Sequence, residues 1–288
     1  VFPDETVGYL SPKNRSFTAK LGGSIEFAET PATFEELPVI LSCALEADTG
    51  GTTEGSGYLY RYRAATSSIH TPNTLTIEAG DNQQEEQMTY CYVESFTLSG
   101  EAGGPLNVGA RWRGRQVATG TFTSALSLLS VEEIPFSKGK LYIDANTVGT
   151  NLKSNTLLGV RLEVPTGQEG IHAADGELYF STLVQKGAAP TLQLTFEHDS
   201  TATTEIEHFR QGNTRLFRLE WEGTALNTAG TTYDSKTLRI DMAGIYENVE
   251  AITDQDGNNV RTINARIVHD DTSNLFFDTT IVNERSSL

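Results

Sequence analysis

The sequence predicts a mainly β fold with short helices, on three observations. Runs in which apolar and polar residues alternate recur along the chain, each bounded by Gly, Pro, Thr, Ser or Asn. The stretch Met88–Gly114 reads as one long hairpin, MTYCYVESFTLSG, a turn of small residues at 101–105, then LNVGARWRG. In its second arm Leu106, Val108, Ala110 and Trp112 alternate with Asn107, Gly109, Arg111 and Arg113, the period of a half-buried strand. The third observation is internal similarity: TLTIEAGD at 74–81 lines up with TLRIDMAG at 237–244. Before each tract come a strand, a capped short helix and an aromatic strand with an adjoining Arg (Tyr60-Arg61, Phe217-Arg218), and after each a long hairpin. That order points to two tandem related units.

Taken from the start, residues 1–16 hold two prolines and scattered charges and read as an N-terminal arm. Phe17 to Phe27 alternates as a strand. Phe34, Leu37, Leu41 and Leu45 fall at helical spacing, with Thr33 as a cap and Pro38 as a tolerated kink. A Gly/Thr loop at 47–57 precedes a strand through Tyr58, Tyr60 and Tyr62. Asn73–Ala79 is the next strand, and an acidic loop at 80–87 enters the long hairpin. Residues 115–156 hold weaker strands, notably Lys140–Asp144, and a boundary is placed near 150. The units are thus 17–150 and 151–288.

The second unit repeats the plan. Leu178, Phe180 and Val184 mark a strand, and Leu192, Leu194 and Phe196 another. A helix over Thr203–Gln211 is capped by Asp199, Ser200 or Thr203. Strands follow through Phe217–Trp221 and Leu238–Met242, then a hairpin over Ile245–His269 around the turn 254–259, and a closing strand over Leu275–Ile281.

A net charge of −17 and a pI near 4.7 weigh against tight DNA binding, which needs cations for the phosphates. An acidic surface keeps a protein soluble, and it also lets DNA pass without sticking. Cys43 and Cys91 are expected as buried free thiols, since no spacing suggests zinc. No apolar run is long enough to span a bilayer, and no secretory leader is visible, so synthesis in the cytoplasm is expected. Catalytic signatures are missing: no nucleophile elbow, P-loop, dinucleotide-binding glycine motif or zinc-protease motif. Asp254-x-Asp256-Gly257 fits a β-turn better than a calcium loop, because no Glu follows at the twelfth position. No enzyme activity, cofactor or metal is therefore expected. Arg111, Arg113 and Arg115 line the polar face of their strand and are candidates for inter-subunit salt bridges, with a solvated face as the plainer use.

The aromatic-rich strand, SFTLSG, the Gly-rich turn and a strand ending in Arg113-Gly114 resemble the tail tube proteins of long-tailed bacteriophages. So does the C-terminal run of a KTLRID strand, a hairpin and a final strand ending Val282-Asn283. The resemblance extends from about Ser16 to Asn283. It implies a β-sandwich or partial barrel with a flanking helix, whose subunits form rings that stack into the conduit for the genome. Partners implied are further copies of the chain, the tape measure and tail-end proteins of the virion, and double-stranded DNA in passage; no membrane is implied. With a duplicated chain three copies give a pseudo-sixfold ring, and without one six copies are expected. Glu78, Asp81, Glu94, Asp241, Glu247 and Glu250 are candidates to face the lumen. The alternative is a β-rich adhesin or carbohydrate-binding module that stacks sugars on Tyr58, Tyr60 and Tyr62.

Overall fold

The structure, a computed structural model, describes residues 5–7, 11–13, 18, 20–45, 51–64, 71–81, 83–255 and 257–288. Strands β1 (Glu5–Val7) and β2 (Ser11–Lys13) make a small hairpin of their own. β3 (Gly23–Pro31) leads to helix α1 (Leu37–Ala44), then β4 (Thr52–Glu54), β5 (Gly57–Arg63) and β6 (Leu75–Gly80). The long hairpin is β7 (Glu85–Glu101) and β8 (Leu106–Gly114), extended by β9 (Gln116–Thr119). β10 (Gly139–Asp144), β11 (Leu152–Lys153) and β12 (Leu157–Pro165) precede a separate hairpin, β13 (Gln168–Ile171) and β14 (Thr182–Gln185). The chain closes with β15 (Thr191–Glu197), α2 (Ser200–Gln211), β16 (Thr214–Ala225), β17 (Ser235–Val249), β18 (Thr253–Gln255), β19 (Asn258–Ile267) and β20 (Phe277–Asn283).

The fold is mainly β, as the sequence predicts. Sixteen strands form one antiparallel sheet, and β17 is where it divides. β16 runs along one edge of β17; along the other, residues 237–242 pair β20 and residues 244–249 pair β19. One layer therefore runs β17-β19-β15-β12-β7-β8-β3, and the other runs β11-β10-β16-β17-β20-β5-β4. The two layers close over a single core that includes Phe96, Phe196, Phe217, Trp221 and Ile281. Each such side chain contributes roughly 1.5–3 kcal/mol by leaving water. Helix α1 is enclosed in this core, with Leu37, Leu41 and Ala44 buried.

The two halves of the chain are interleaved. β10 pairs β16, β12 pairs β7 and β20 pairs β5, so the sheet continues unbroken past residue 150. One arrangement does occur twice: β3, followed by α1, lies beside β8 and then β7, and β15, followed by α2, lies beside β19 and then β17. The tracts aligned by sequence occupy different places. Residues 75–80 form a marginal strand paired only with β7, whereas 237–244 lie in the strand that both layers share.

Several elements differ from expectation for identifiable reasons. The strand expected over 17–27 is found at Gly23–Pro31, with 17 and 19 outside the described residues, and a register shift between Phe27 and Thr30 lets it continue. α1 starts at Leu37 because Pro38, with no N–H to donate, suits the first turn, so it starts the helix instead of kinking it. Thr33 caps the preceding turn, its hydroxyl accepting from Glu36 N at 3.2 Å. Leu178 and Phe180 belong to a loop, and only Thr182–Gln185 is strand. β12 was not expected. Residues 52–54 and 85–87, expected as loop, are strand, while 46–50 and 82 lie outside the described residues, as does most of the N-terminal arm. Asp199 is the cap of α2, accepting from Ala202 N, and Gly212 ends that helix at φ +67°. Cys43 and Cys91 are free and buried, and burial raises both thiols to about 11. No helix among the described residues is long and apolar enough to cross a membrane.

Candidate assembly surfaces

The outward face of the β3 layer is a polar carpet built by strand alternation. Leu192, Leu194, Phe196, Val160, Leu162 and Val164 point into the core, so their neighbours in β15 and β12 point out. Cross-strand pairing then sets these neighbours in rows. One row runs Asn248, Asn264, Gln193, Arg161, Ser99, Asn107, and the next Arg266, Thr191, Glu163, Thr97, Gly109.

Side-chain hydrogen bonds tie the carpet together. Gln193 Nε2 donates to Asn264 Oδ1 at 3.0 Å, and Asn264 Nδ2 to Glu250 Oε1 at 3.3 Å. Arg161 donates to Glu163 at 2.8 Å and to Glu29 at 2.9 Å. Ser99 Oγ also donates to Glu29; this bond, with Arg161, holds the Glu29 carboxyl below the usual carboxylate range against the opposing effect of partial burial. Arg266 pairs Glu247 at 2.6 Å, and Arg111 and Arg113 reach Glu94 at 3.2 and 3.3 Å. The face is polar, with Glu29, Glu94, Glu163 and Glu247 matched by arginines.

The six acids from which the lumen-facing ones were to be drawn lie on different surfaces. Glu94, Glu247 and Glu250 belong to the carpet. Asp241 lies on the outward face of the other layer, where Arg218 holds it through two bonds of 2.7 and 2.8 Å. Its cross-strand neighbour Asp278 is held by Arg61 and Arg63 in the same way. Asp81 caps the β6–β7 turn, accepting from the backbone of Gln83 and Gln84, and Glu78 accepts from Thr123 N at 2.8 Å. All three candidate arginines have partners within the chain, Arg111 and Arg113 at Glu94 and Arg115 elsewhere. The Arg115 guanidinium lies 3.7 Å over the Tyr90 ring and donates to Ser181 O at 3.0 Å. Arg161, Gln193 and Asn264 were not singled out from sequence; the alternation of Val160, Leu162 and Val164 is the signal that finds the first of them.

The sugar-stacking alternative loses two of its residues. Tyr60 and Tyr62 are fully buried, their hydroxyls donating to Arg285 O and Pro38 O, and Tyr58 is half-buried. Their strand packs its tyrosines inward because β5 is paired on both edges and covered by α1.

β3 ends its layer. Its inner edge pairs β8 along nearly its whole length, and its outer edge pairs no described strand. Beside it lies an apolar groove of about 480 Å³ lined by Phe27, Pro31, Ile40, Val108 and Trp112. The indole N–H of Trp112 is buried and has no acceptor among the described residues.

Past this groove runs a strap, residues 120–132. One end is fastened by Glu85, which accepts from Gly120 N and Phe122 N, and by Glu78. The other end is fastened by Glu35, which accepts from Glu132 N at 2.8 Å, and by Glu132, whose carboxylate accepts from Thr224 and Lys236. Residues 127–131 make no backbone hydrogen bond to any described residue. Leu129 helps line the groove, while Leu126 and Leu128 are 76% and 101% exposed.

No group of three or more potential metal ligands exists among the described residues. Comparison with known protein families and with curated proteins returns no match.

Proposed function

We propose that this chain is a structural subunit of a phage tail tube: copies join side by side into rings, and the rings stack into a conduit for DNA. The observation that carries the reading is the pairing of an open edge with a polar face. β3 offers nine residues of strand with no outer neighbour among the described residues, a state that proteins otherwise hide because it recruits other strands. The same layer presents the hydrogen-bonded carpet outward. Closing such layers edge to edge around a ring lines a pore with Asn, Gln, Ser, Thr and arginine-matched glutamates. A lining of that kind offers DNA few unpaired cations, and the charge of −17 repels it from the rest of the surface. The repeated strand–helix arrangement supports three chains per ring, each supplying two related units; six is the count if the units are not equivalent. Tape measure and tail-end proteins are the expected virion partners, and the virion tail the expected location.

Negative-stain electron microscopy and sedimentation of purified protein test this at rising concentration. Rings or filaments with a central pore are the expected result. A monomer at every concentration, with its β3 amides protected from hydrogen exchange as strongly as those of β8, would overturn it.

A further inference from the structure

β3 contributes residues to two cavities of unlike chemistry. Its first residues, Gly23 and Ser24, line one of about 670 Å³ together with Lys20, Tyr92, Arg113 and Phe180. Further along, Phe27, Thr30 and Pro31 line the apolar groove of about 480 Å³. The two lie on opposite faces of the layer. Arg113 sits across from Ser24 and pairs Glu94 on the carpet, whereas Ala110 sits across from Phe27 and is buried, as is Trp112. The first cavity carries spare positive charge. Lys186 pairs Glu169 and Arg113 pairs Glu94, but Lys20 has no acid partner among the described residues. That excess stands in a chain whose net charge is −17.

We propose that β3 is the acceptor strand for an extended polypeptide segment carrying an apolar residue and, three positions later, an acidic one. The inference goes beyond the ring reading, because it names the chemistry of the added strand whichever chain brings it. An open strand edge is matched by another extended backbone, and pockets beside it select alternate side chains. The strands of this sheet pair antiparallel, so the segment meets Phe27 before it meets Ser24. Register along Gly23–Phe27 is unbroken, and the two positions lie about 10 Å apart. A side chain opposite Phe27 falls on the core side, where the groove takes an apolar group. Three residues on, an odd number, the side chain opposite Ser24 falls on the carpet side beside Lys20, which favours a carboxylate. The residue opposite Glu26 shares the carpet face, and an acid there is repelled by the like charge across from it. The spacing and the order of the two groups therefore both carry specificity.

The test titrates the full chain, below any concentration at which it assembles, into a fluorescein-labelled peptide of nine residues and reads anisotropy. The peptide is Thr and Val throughout, except for Leu at its fourth position, Lys at its fifth and Glu at its seventh. Saturable one-to-one binding is expected. Replacing the peptide's Leu by Thr, replacing its Glu by Lys, or moving the Glu to the sixth position should each weaken binding at least tenfold. Lys20→Glu, a change of an exposed side chain, should reverse the order, so that the Lys peptide binds more tightly than the Glu peptide. No binding at millimolar peptide overturns the inference. So does binding that ignores the position of the Glu, or an order that Lys20→Glu leaves unchanged. A chain that forms rings yet ignores the peptide overturns this inference alone, and a chain that stays monomeric yet binds the peptide overturns the ring reading alone.

Discussion

The molecule has a finished end and an unfinished one. Under α2, Glu205 is fully buried, and Arg215 clasps it with bonds of 2.9 and 3.0 Å while Tyr246 donates its hydroxyl at 2.9 Å. Lys153 stands 3.8 Å away. Burial, with the Glu205 charge, pushes the Tyr246 hydroxyl well above its ordinary range, so it stays a donor. At the β3 end a strand edge pairs no described strand, and Leu126 and Leu128 of the strap stand in water. The buried carboxylate at one end has three partners from the chain itself; the β3 end is less complete. On the assembly proposed above, contacts of the first kind hold the subunit together and the second kind is left for a neighbour.

The contrast breaks first at Glu205. Glu205→Ala strands Arg215 in the core without its counter-charge, and losing one partner of a buried pair costs about 3–5 kcal/mol. The urea midpoint should fall by that equivalent with an unchanged slope. The strap change Leu128→Asp should leave the midpoint within about 0.5 kcal/mol, as exposed substitutions do. A strap variant as unstable as the Glu205 variant would mean that the strap belongs to the subunit's own core.

The two helices sharpen the same contrast at smaller scale. α2 is amphipathic, with a side-chain cap at Asp199 and a left-handed Gly212, so its ends are fixed locally. α1 has no side-chain cap and is buried on most sides, so packing alone fixes it. Asp199→Ala should cost about 1 kcal/mol, read from thermal melts, through the lost bond to Ala202 N. If the loss reaches that of Glu205→Ala, the cap is coupled to the buried pair and the two sites are one unit.

How much of this was readable follows from which forces are local. β8, β15 and β16 were legible because alternation writes burial into every second residue, and α2 because Asp199 and Gly212 punctuate it. β12 escaped notice although Val160, Leu162 and Val164 alternate, since Leu157, Leu158 and Gly159 break the period where its pairing with β15 shifts register. Leu178 and Phe180 mimic a strand, but the partners of Phe180, Tyr90 and Tyr92, and of the Leu178 carbonyl, Leu21 N, lie far back in the chain. Position on a face is likewise nonlocal: Asp241 and Glu247 sit in one strand, yet along one of its edges the partner changes from β20 to β19 between them, which sends them to different layers. The strap read only as turn-rich connection, because isolated leucines in a Ser-rich stretch carry no period.

The smallest expected effect concerns how the strap is fastened. Thr123, through its backbone and hydroxyl, holds the Glu78 carboxyl below its ordinary range. For Glu132, burial opposes the charge but the bonds from Thr224 and Lys236 outweigh it, and its carboxyl is depressed as well. A carboxyl whose folded value is depressed contributes its attachment fully above the unfolded value, about 4.3 for Glu, and loses it as pH falls through the folded value. Both strap attachments should therefore hold from neutrality down to about pH 4 and loosen below it, in the direction of acid and not of base. An acid-active protease should cut within 124–131 faster at pH 3 than at pH 5, by more than its rate on an unstructured peptide of the same sequence changes. The two fragments should stay together without denaturant, because β12 and β20 lie in the second fragment and pair β7 and β5 of the first. Fragments that separate on cutting would show the strap to be a structural tie.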